Sequence, residues 1–280
     1  MRSAALVMAA GVLAGALGGA PAALAKTPIV YTTVTQTQEN AFFDIDYLYH
    51  PQLAQSLDVK RPMTWSSVQM GTFQVKLVKD PAVYERLVEG DYDEAWFTEY
   101  RSNYKVKAKV TLELWRFDGG GEIPERVDVT EGFTKVHSST VRRTMKIGKR
   151  VTFPFKGGVD VEPGRYFLIV GVRFVDNRVF NLRFTGQENG SNTKGGYNHD
   201  KPISPECGRY KMTKDPHPGG QAYRVVPNHR PKAPDWLAPF GTEFQVVDTK
   251  VAMSCNMDGV YDPDKQIWNP GDLGMVFRGS

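Results

Sequence analysis

The sequence predicts a mainly β protein: an antiparallel β-sandwich with one short helix and a long irregular C-terminal region held by a disulfide. Three observations favour this fold class. Apolar and polar residues alternate through residues 103–117, two apolar runs within residues 160–187 flank an Asp-Asn turn, and helical spacing is confined to one short segment. Gly, Pro and Asp separate the other apolar segments, which is typical of strands joined by turns.

The first 25 residues have the composition of a signal peptide. Arg2 is their only charge, an apolar stretch follows over residues 4–19, and the segment ends in Ala-Leu-Ala. A signal peptidase recognises this ending, so we expect cleavage after Ala25 and a periplasmic or secreted protein. An uncleaved anchor is the alternative. No later apolar run reaches spanning length, so we expect no membrane span after removal of the segment.

Removal of that segment leaves a chain near charge balance. The full sequence has 35 Lys and Arg against 31 Asp and Glu, and loss of Arg2 gives 34 − 31 = +3. Nucleic-acid binders usually combine a basic cluster with a recognisable module. The sequence shows neither feature, so we expect no nucleic-acid partner.

The only two cysteines, Cys207 and Cys255, are predicted to form a disulfide because an exported chain matures in an oxidising compartment. The bond would close a long loop and contribute about 3–4 kcal/mol on the chain-entropy model. A thiolate ligand or nucleophile is the alternative, but no CxxC motif accompanies either residue.

The clearest strand lies in residues 103–117, where apolar and polar residues alternate. A period of two indicates one face on a core and the other on water. The polar face carries Lys105, Lys107 and Lys109, a stripe that would suit an anionic polymer. A solvated sheet face explains the same stripe, and on that interpretation we assign no site to it.

A β-hairpin is predicted over residues 160–187. Pro163-Gly164 leads into an arm that is apolar on both faces, and Asp176-Asn177 turns the chain into a second arm. The first arm should therefore lie centrally between packed layers. The run Pro-Gly-x-Tyr-x-Leu-x-Val that begins at Pro163 is similar to a late strand of immunoglobulin-like and fibronectin-like sandwiches. This resemblance implies an immunoglobulin-like sandwich, with a jelly-roll-like arrangement as the alternative.

The remaining elements are shorter. Further strands are predicted over residues 29–35, 68–78, 141–147, 151–155 and 244–253. A helix is predicted where Asp80 can cap, Pro81 suits the first turn and Gly90 ends the apolar spacing. The aromatic run from Tyr92 to Tyr100 either extends this helix or forms a loop.

These elements suggest four parts of the chain. We expect a signal peptide over residues 1–25, a sandwich domain over 26–187, a long irregular region over 188–241, and C-terminal strands over 242–280 that pack on the sandwich. The irregular region is dense in Gly, Pro, Asn, Lys and His without a sustained period. Long loops on a β scaffold commonly carry function, which makes this region a place to look for a site.

Metal ligands are one source of chemistry in the C-terminal part of the chain. Asp258, Asp262 and Asp264 offer hard oxygens to calcium, although their spacing does not fit the twelve-residue calcium loop and ordinary turn chemistry explains them. His199, His217 and His229 would suit zinc or copper, but their spacing matches no ligand pattern, and we prefer solvated loop histidines. We therefore retain calcium as the only candidate cofactor.

Exposed aromatic side chains are a second candidate for a binding site in this part of the chain. Trp236 and Trp268 lie in loop-like contexts where a sugar ring could stack, although we prefer a role in core packing or in anchoring of loops. No nucleophile elbow, zinc-binding His-Glu-x-x-His helix or phosphate loop occurs, and we assign no catalytic residue.

Two function classes follow. We favour an exported non-catalytic β-sandwich module of the cell envelope or extracellular space that binds a partner protein or a surface polysaccharide. The alternative is a secreted carbohydrate-active or metal-dependent hydrolase on a jelly-roll-like scaffold. A concave cleft with convergent carboxylates and aromatic walls would favour the hydrolase.

Overall fold

The computed structural model describes residues 27–33, 41–46, 48, 50–188, 220–226, 240–251 and 268–280. These residues form mainly β-structure with antiparallel sheets and one short helix, as predicted. In chain order the elements are β1 (Ile29–Thr32), β2 (Ala41–Asp46), β3 (Gln52–Val59), β4 (Met63–Leu77), α1 (Val83–Glu89), β5 (Lys105–Phe117), β6 (Arg126–Asp128), β7 (Phe133–Lys146), β8 (Arg150–Val161), β9 (Gly164–Phe174), β10 (Val179–Glu188), β11 (Ala222–Val225), β12 (Glu243–Val246), β13 (Asp248–Val251), β14 (Trp268–Leu273) and β15 (Met275–Gly279). The predicted signal peptide, Cys207 and Cys255 lie outside the described residues, so export and the disulfide stay predictions.

The described strands form two antiparallel sheets. The first sheet has the order β1-β15-β4-β10-β14-β13-β2, with β8 paired to β4. Because β10 also pairs with β2, the strands β10, β14, β13 and β2 close into a ring at one end of this sheet. The second sheet has the order β6-β12-β11-β3-β9-β5-β7.

The main core lies between the two sheets. Alternate residues of β5, from Val106 to Leu114, are fully buried there, which confirms the strand predicted from their period of two. Trp65 of β4 is also fully buried and contacts rings from both sheets, with centroids 4.4 Å from Phe277 and 6.3 Å from Tyr166. Burial of these apolar side chains is the main force that holds the sheets together.

The hairpin predicted over residues 160–187 is wrong. The first arm, β9, pairs with β3 and β5 in the second sheet, whereas the second arm, β10, pairs with β2, β4 and β14 in the first sheet. The turn between them is held by Asp176, whose side chain and carbonyl accept from the backbone N–H groups of Arg178 and Val179. Neither arm has a free edge for the other, because each is flanked by strands from elsewhere in the chain.

The helix predicted after Asp80 is confirmed as α1. Asp80 Oδ1 accepts from the N–H of Ala82 at 3.0 Å, and Gly90 ends the helix with a φ of 97°, a conformation that favours glycine. The helix buries Tyr84 and Leu87 in a small cluster at the end of β4 and the start of β10, with Val78 and Phe180. The aromatic run after Gly90 does not extend the helix. It forms a loop with one 3-10 turn over Glu94–Trp96. No helix among the described residues is long and apolar enough to span a membrane.

The C-terminal part contains more regular structure than the sequence indicated. The strand β11 lies inside the range predicted to be irregular and pairs with both β3 and β12. The strand predicted over residues 244–253 is divided between the sheets, since β12 joins the second and β13 the first. The strands β14 and β15 join the first sheet.

A buried polar contact links the two sheets near β14. Gln55 of β3 points into the main core, donates through Nε2 to Asp272 Oδ1, and accepts through Oε1 from the N–H of Leu273 at 2.7 Å. Gln55 and Asp272 are both wholly buried. Because buried polar groups must be hydrogen-bonded, these contacts fix the position of β14 relative to β3 in the other sheet.

Candidate anion-binding face

The outer face of the second sheet is divided into two halves. At one end the outward residues form a second apolar cluster, which Phe167 and Ile169 of β9 share with Tyr223 and Phe244 of the neighbouring strands. At the other end the outward positions are basic, and most of these side chains are exposed. The basic end is the part of this face that is open to a ligand.

A row of three cations crosses this basic end. In the sheet register, Lys109 of β5 lies directly opposite Arg142 of β7 on one side and Arg173 of β9 on the other. Neighbouring strands lie about 4.8 Å apart, so the row is about 10 Å wide. Like charges directly opposite each other in a sheet repel, and each such pair costs roughly 0.2–1 kcal/mol.

Three further lysines extend this row along the strands. Lys107 and Lys105 precede Lys109 on the same face of β5, and Lys105 lies opposite Lys146 of β7. Successive outward residues of a strand are about 6.8 Å apart. We call this surface the basic face; it comprises Lys105, Lys107, Lys109, Arg142, Lys146 and Arg173.

The acids that the structure describes do not neutralise the basic face. No ion pair joins any of its six residues to an acid among the residues that the structure describes. Elsewhere on the same sheet such pairs do form: Lys135 contacts Glu113 at 2.9 Å, and Arg116 contacts Asp118 at 3.1 Å. The positive charge is therefore concentrated at one end of the face.

The cations of the row line one surface depression with a volume of about 510 Å³. Its lining residues are Lys107, Ala108, Lys109, Arg142, Arg143, Thr144, Arg173, Phe174 and Val175. Arg143 belongs to the inward parity of β7, opposite Ala108, but β7 is an edge strand and the side chain is exposed. Guanidinium and ammonium groups in an open depression can bind anions by charge and hydrogen bonds.

Two neighbours shape the depression beside the row. The guanidinium of Arg173 lies 4.8 Å from the centroid of the Phe240 ring, a cation–π contact that restricts this side chain. The same ring fills the space over Gly171, where a Cβ atom would lie 2.6 Å from it. Thr111 and Thr140 form the next row, with their hydroxyl oxygens 3.0 Å apart. Arg173 is thus held at the boundary between an aromatic ring and the open depression.

Other ionisable groups have structural contacts. His50 Nδ1 lies 2.9 Å from Asp46 Oδ2, while Asp46 Oδ1 accepts from the N–H groups of Leu48 and His50, so the carboxylate closes the turn between β2 and β3. His137 packs edge-on against Phe155, and burial lowers its pKa. Lys76, Glu94 and Tyr92 form a hydrogen-bonded chain beside α1. The bonds to Glu94 hold its pKa below the usual range.

Of the site residues predicted from sequence, the structure describes only Trp268. Trp236, Asp258, Asp262 and Asp264 lie outside the described residues, as do His199, His217 and His229. Trp268 begins β14, where its backbone pairs with Lys250. No group of three or more His, Cys, Asp or Glu that could hold a metal occurs within the described ranges.

Of the three residues in the basic row, only Lys109 was apparent from the sequence. The stripe of lysines was visible in residues 103–117, but Arg142 and Arg173 lie far from it along the chain. Each neighbouring strand also carries an outward cation, and this was the signal that could have revealed the row. To use it, one would have to know the strand order β9-β5-β7 and the register of these strands. Comparisons add no further guide: no protein family, curated protein or solved structure matches this chain.

Proposed function

We propose that this protein is an exported, non-catalytic β-sandwich module that binds an anionic polysaccharide of the cell surface on its basic face. The composition of residues 1–25 supports export to the periplasm or beyond the cell. Two antiparallel sheets that share a core support an immunoglobulin-like or jelly-roll-like sandwich. Binding without catalysis is a common use of such scaffolds.

The row Arg142–Lys109–Arg173 is the observation that carries the proposal. Its charges oppose each other directly, and no described acid offsets them. An exposed sheet face stays solvated equally well with mixed charges, as the pair Lys135–Glu113 on the same sheet illustrates. A polyanion would relieve the repulsion and convert an unfavourable arrangement into a favourable one.

A polymer suits this surface better than a small anion. The cations recur along β5 about every 6.8 Å and spread across three strands, so one extended ligand could contact several of them at once. Many weak contacts on one chain raise the overall affinity through effective concentration. The two threonine hydroxyls of the next row add hydrogen-bonding groups suited to sugars.

The test is the affinity of the exported protein for polygalacturonate and dextran sulfate, with uncharged dextran as the reference ligand, measured by isothermal titration calorimetry. We expect both polyanions to bind, the uncharged polymer not to bind, and affinity to fall as salt is raised from about 20 to 500 mM. The triple variant Lys109→Gln, Arg142→Gln, Arg173→Gln should lose about tenfold in affinity at low salt.

The matched control removes three cations from the other end of the molecule. Lys60 and Arg61 follow β3, whose end pairs with the start of β9, whereas Arg173 lies at the end of β9. Lys156 lies on β8 of the first sheet, and all three side chains are exposed. Their triple change to Gln removes the same charge but should leave affinity nearly unchanged. Equal losses in both triple variants would mean that net charge alone attracts polyanions. Tighter binding to single-stranded DNA than to any polysaccharide would also contradict the proposal.

A further inference from the structure

We infer that the row Arg142–Lys109–Arg173 is built for a phosphate monoester carried by the bound polymer. This inference rests on the proposed function, because it names the charged group that the basic face would take. The row places two guanidinium groups on either side of one ammonium group, and all three side chains line the same depression. The number and kind of donors decide which anion fits.

The donor set exceeds what a carboxylate can accept. A carboxylate has two oxygens and one negative charge, which one arginine fork can satisfy by itself. The row offers two forks and one ammonium group. A phosphate monoester has three terminal oxygens and a charge of about −1.5 to −2 at neutral pH, so each oxygen can face one cation.

Charge separates a phosphate from a sulfate, which also has three terminal oxygens. A sulfate monoester keeps a single negative charge at all relevant pH values. A phosphate monoester gains its second charge with a pKa of about 6. This second ionisation of the phosphate takes place largely between pH 5 and pH 7.5. Phosphate binding should therefore strengthen as pH rises, while sulfate binding stays constant.

Arginine rather than lysine at the outer positions supplies the geometry. Its planar fork donates two parallel hydrogen bonds to neighbouring oxygens, whereas an ammonium group acts as a point charge. Phe240 restricts the Arg173 guanidinium, which reduces the rotational freedom that is lost on binding. A change of Arg to Lys keeps the charge of the row and removes the forks.

The experiment compares three dextrans that share one backbone and one degree of substitution: phosphorylated, sulfated and carboxymethylated. Titration calorimetry at pH 7.5 should rank them in that order. Lowering the pH to 5 should remove most of the advantage of the phosphorylated polymer over the sulfated one. The double variant Arg142→Lys, Arg173→Lys should weaken binding of the phosphorylated polymer by about tenfold, the loss expected for one charge-assisted hydrogen bond, and affect the carboxymethylated polymer little.

Equal affinity for the three charged dextrans, or an advantage of phosphate that does not change with pH, would overturn this inference and leave the proposed function standing. Lack of binding to every charged dextran at low salt would overturn both. The variant Lys135→Thr, whose charge is paired with Glu113 outside the row, serves as the control and should behave as the parent protein.

Discussion

Replacement of Lys109 by Thr should make the protein more stable. The substitution removes the central charge of the row, and with it both directly opposed pairs, Lys109–Arg142 and Lys109–Arg173. At roughly 0.2–1 kcal/mol for each pair, the gain lies between about 0.4 and 2 kcal/mol. Because Lys109 is exposed, water screens much of the repulsion, and we expect a gain of about 0.5 kcal/mol at low salt.

Urea denaturation at about 10 mM and 1 M salt measures this gain. The Debye length falls from about 30 Å to 3 Å between these conditions, so the electrostatic part of the gain should disappear at high salt. Thr also has a higher strand propensity than Lys, which adds a gain that salt does not change. The difference between the two salt concentrations isolates the charge effect.

Lys107→Thr is the matched control for this prediction. Lys107 occupies the same face of β5 but lies opposite Thr144, so the identical substitution removes a charge without removing a directly opposed cation. Lys135→Thr supplies the opposite case, because it breaks an ion pair and should not stabilise the protein. If Lys109→Thr were no more stabilising than Lys107→Thr at low salt, the argument that the row carries uncompensated repulsion would be refuted.

Three further predictions concern the core and its edge. Gln55→Leu should lower the free energy of unfolding in urea by about 2–4 kcal/mol, because it removes the buried hydrogen bonds that Gln55 makes with Asp272 and with the N–H of Leu273; a loss below 0.5 kcal/mol would mean that water replaces these contacts. Trp65→Ala should cost about 3–5 kcal/mol by the same assay, since its fully buried ring leaves a cavity between the sheets. His137 has a pKa lowered by burial, so its neutral form is favoured by folding; stability should be fully present above pH 6.5 and decline as pH falls below that value. His137→Gln should reduce this decline between pH 7 and pH 5 in denaturation curves, and an unchanged decline would assign it to other groups.

The sequence predicted those elements in which buried apolar residues recur at a regular spacing. The strand β5 has one apolar face and one polar face, and α1 has a capping Asp80 and a terminal Gly90, so local residues decide both elements. The strand β3 was missed for the opposite reason. Gln52, Gln55 and Ser56 are buried polar residues within it, and they interrupt the apolar pattern. Their burial depends on partners such as Asp272 that lie far away along the chain.

Pairing between distant strands was the part that local patterns could not give. The arms β9 and β10 follow each other closely, and adjacent strands of this kind often pair, but here each strand is already enclosed by two others. The connecting residues Asp176-Asn177 also lack the glycine of the strongest hairpin turns. The basic row could not be predicted from the sequence for the same reason. Its three residues belong to separate strands, and only the order and register of the sheet bring them together.

The outer face of the second sheet has an apolar half and a basic half. This division helps to decide whether the basic row binds a ligand or is only a solvated sheet face. At one end of this face the outward residues are apolar and buried in a second cluster. At the boundary between the halves, Lys135 Nζ lies 4.4 Å from the centroid of the Trp115 ring. The same ammonium group forms an ion pair with Glu113. Among the described residues of this sheet, cations without an ion pair stand directly opposite each other only beyond this boundary. Stability would favour an acid at one of these positions, because every such replacement turns repulsion into attraction. If Lys109→Thr raises stability and also weakens polyanion binding, the basic row is a binding surface. If the row were passive, the same substitution would raise stability without a loss of affinity.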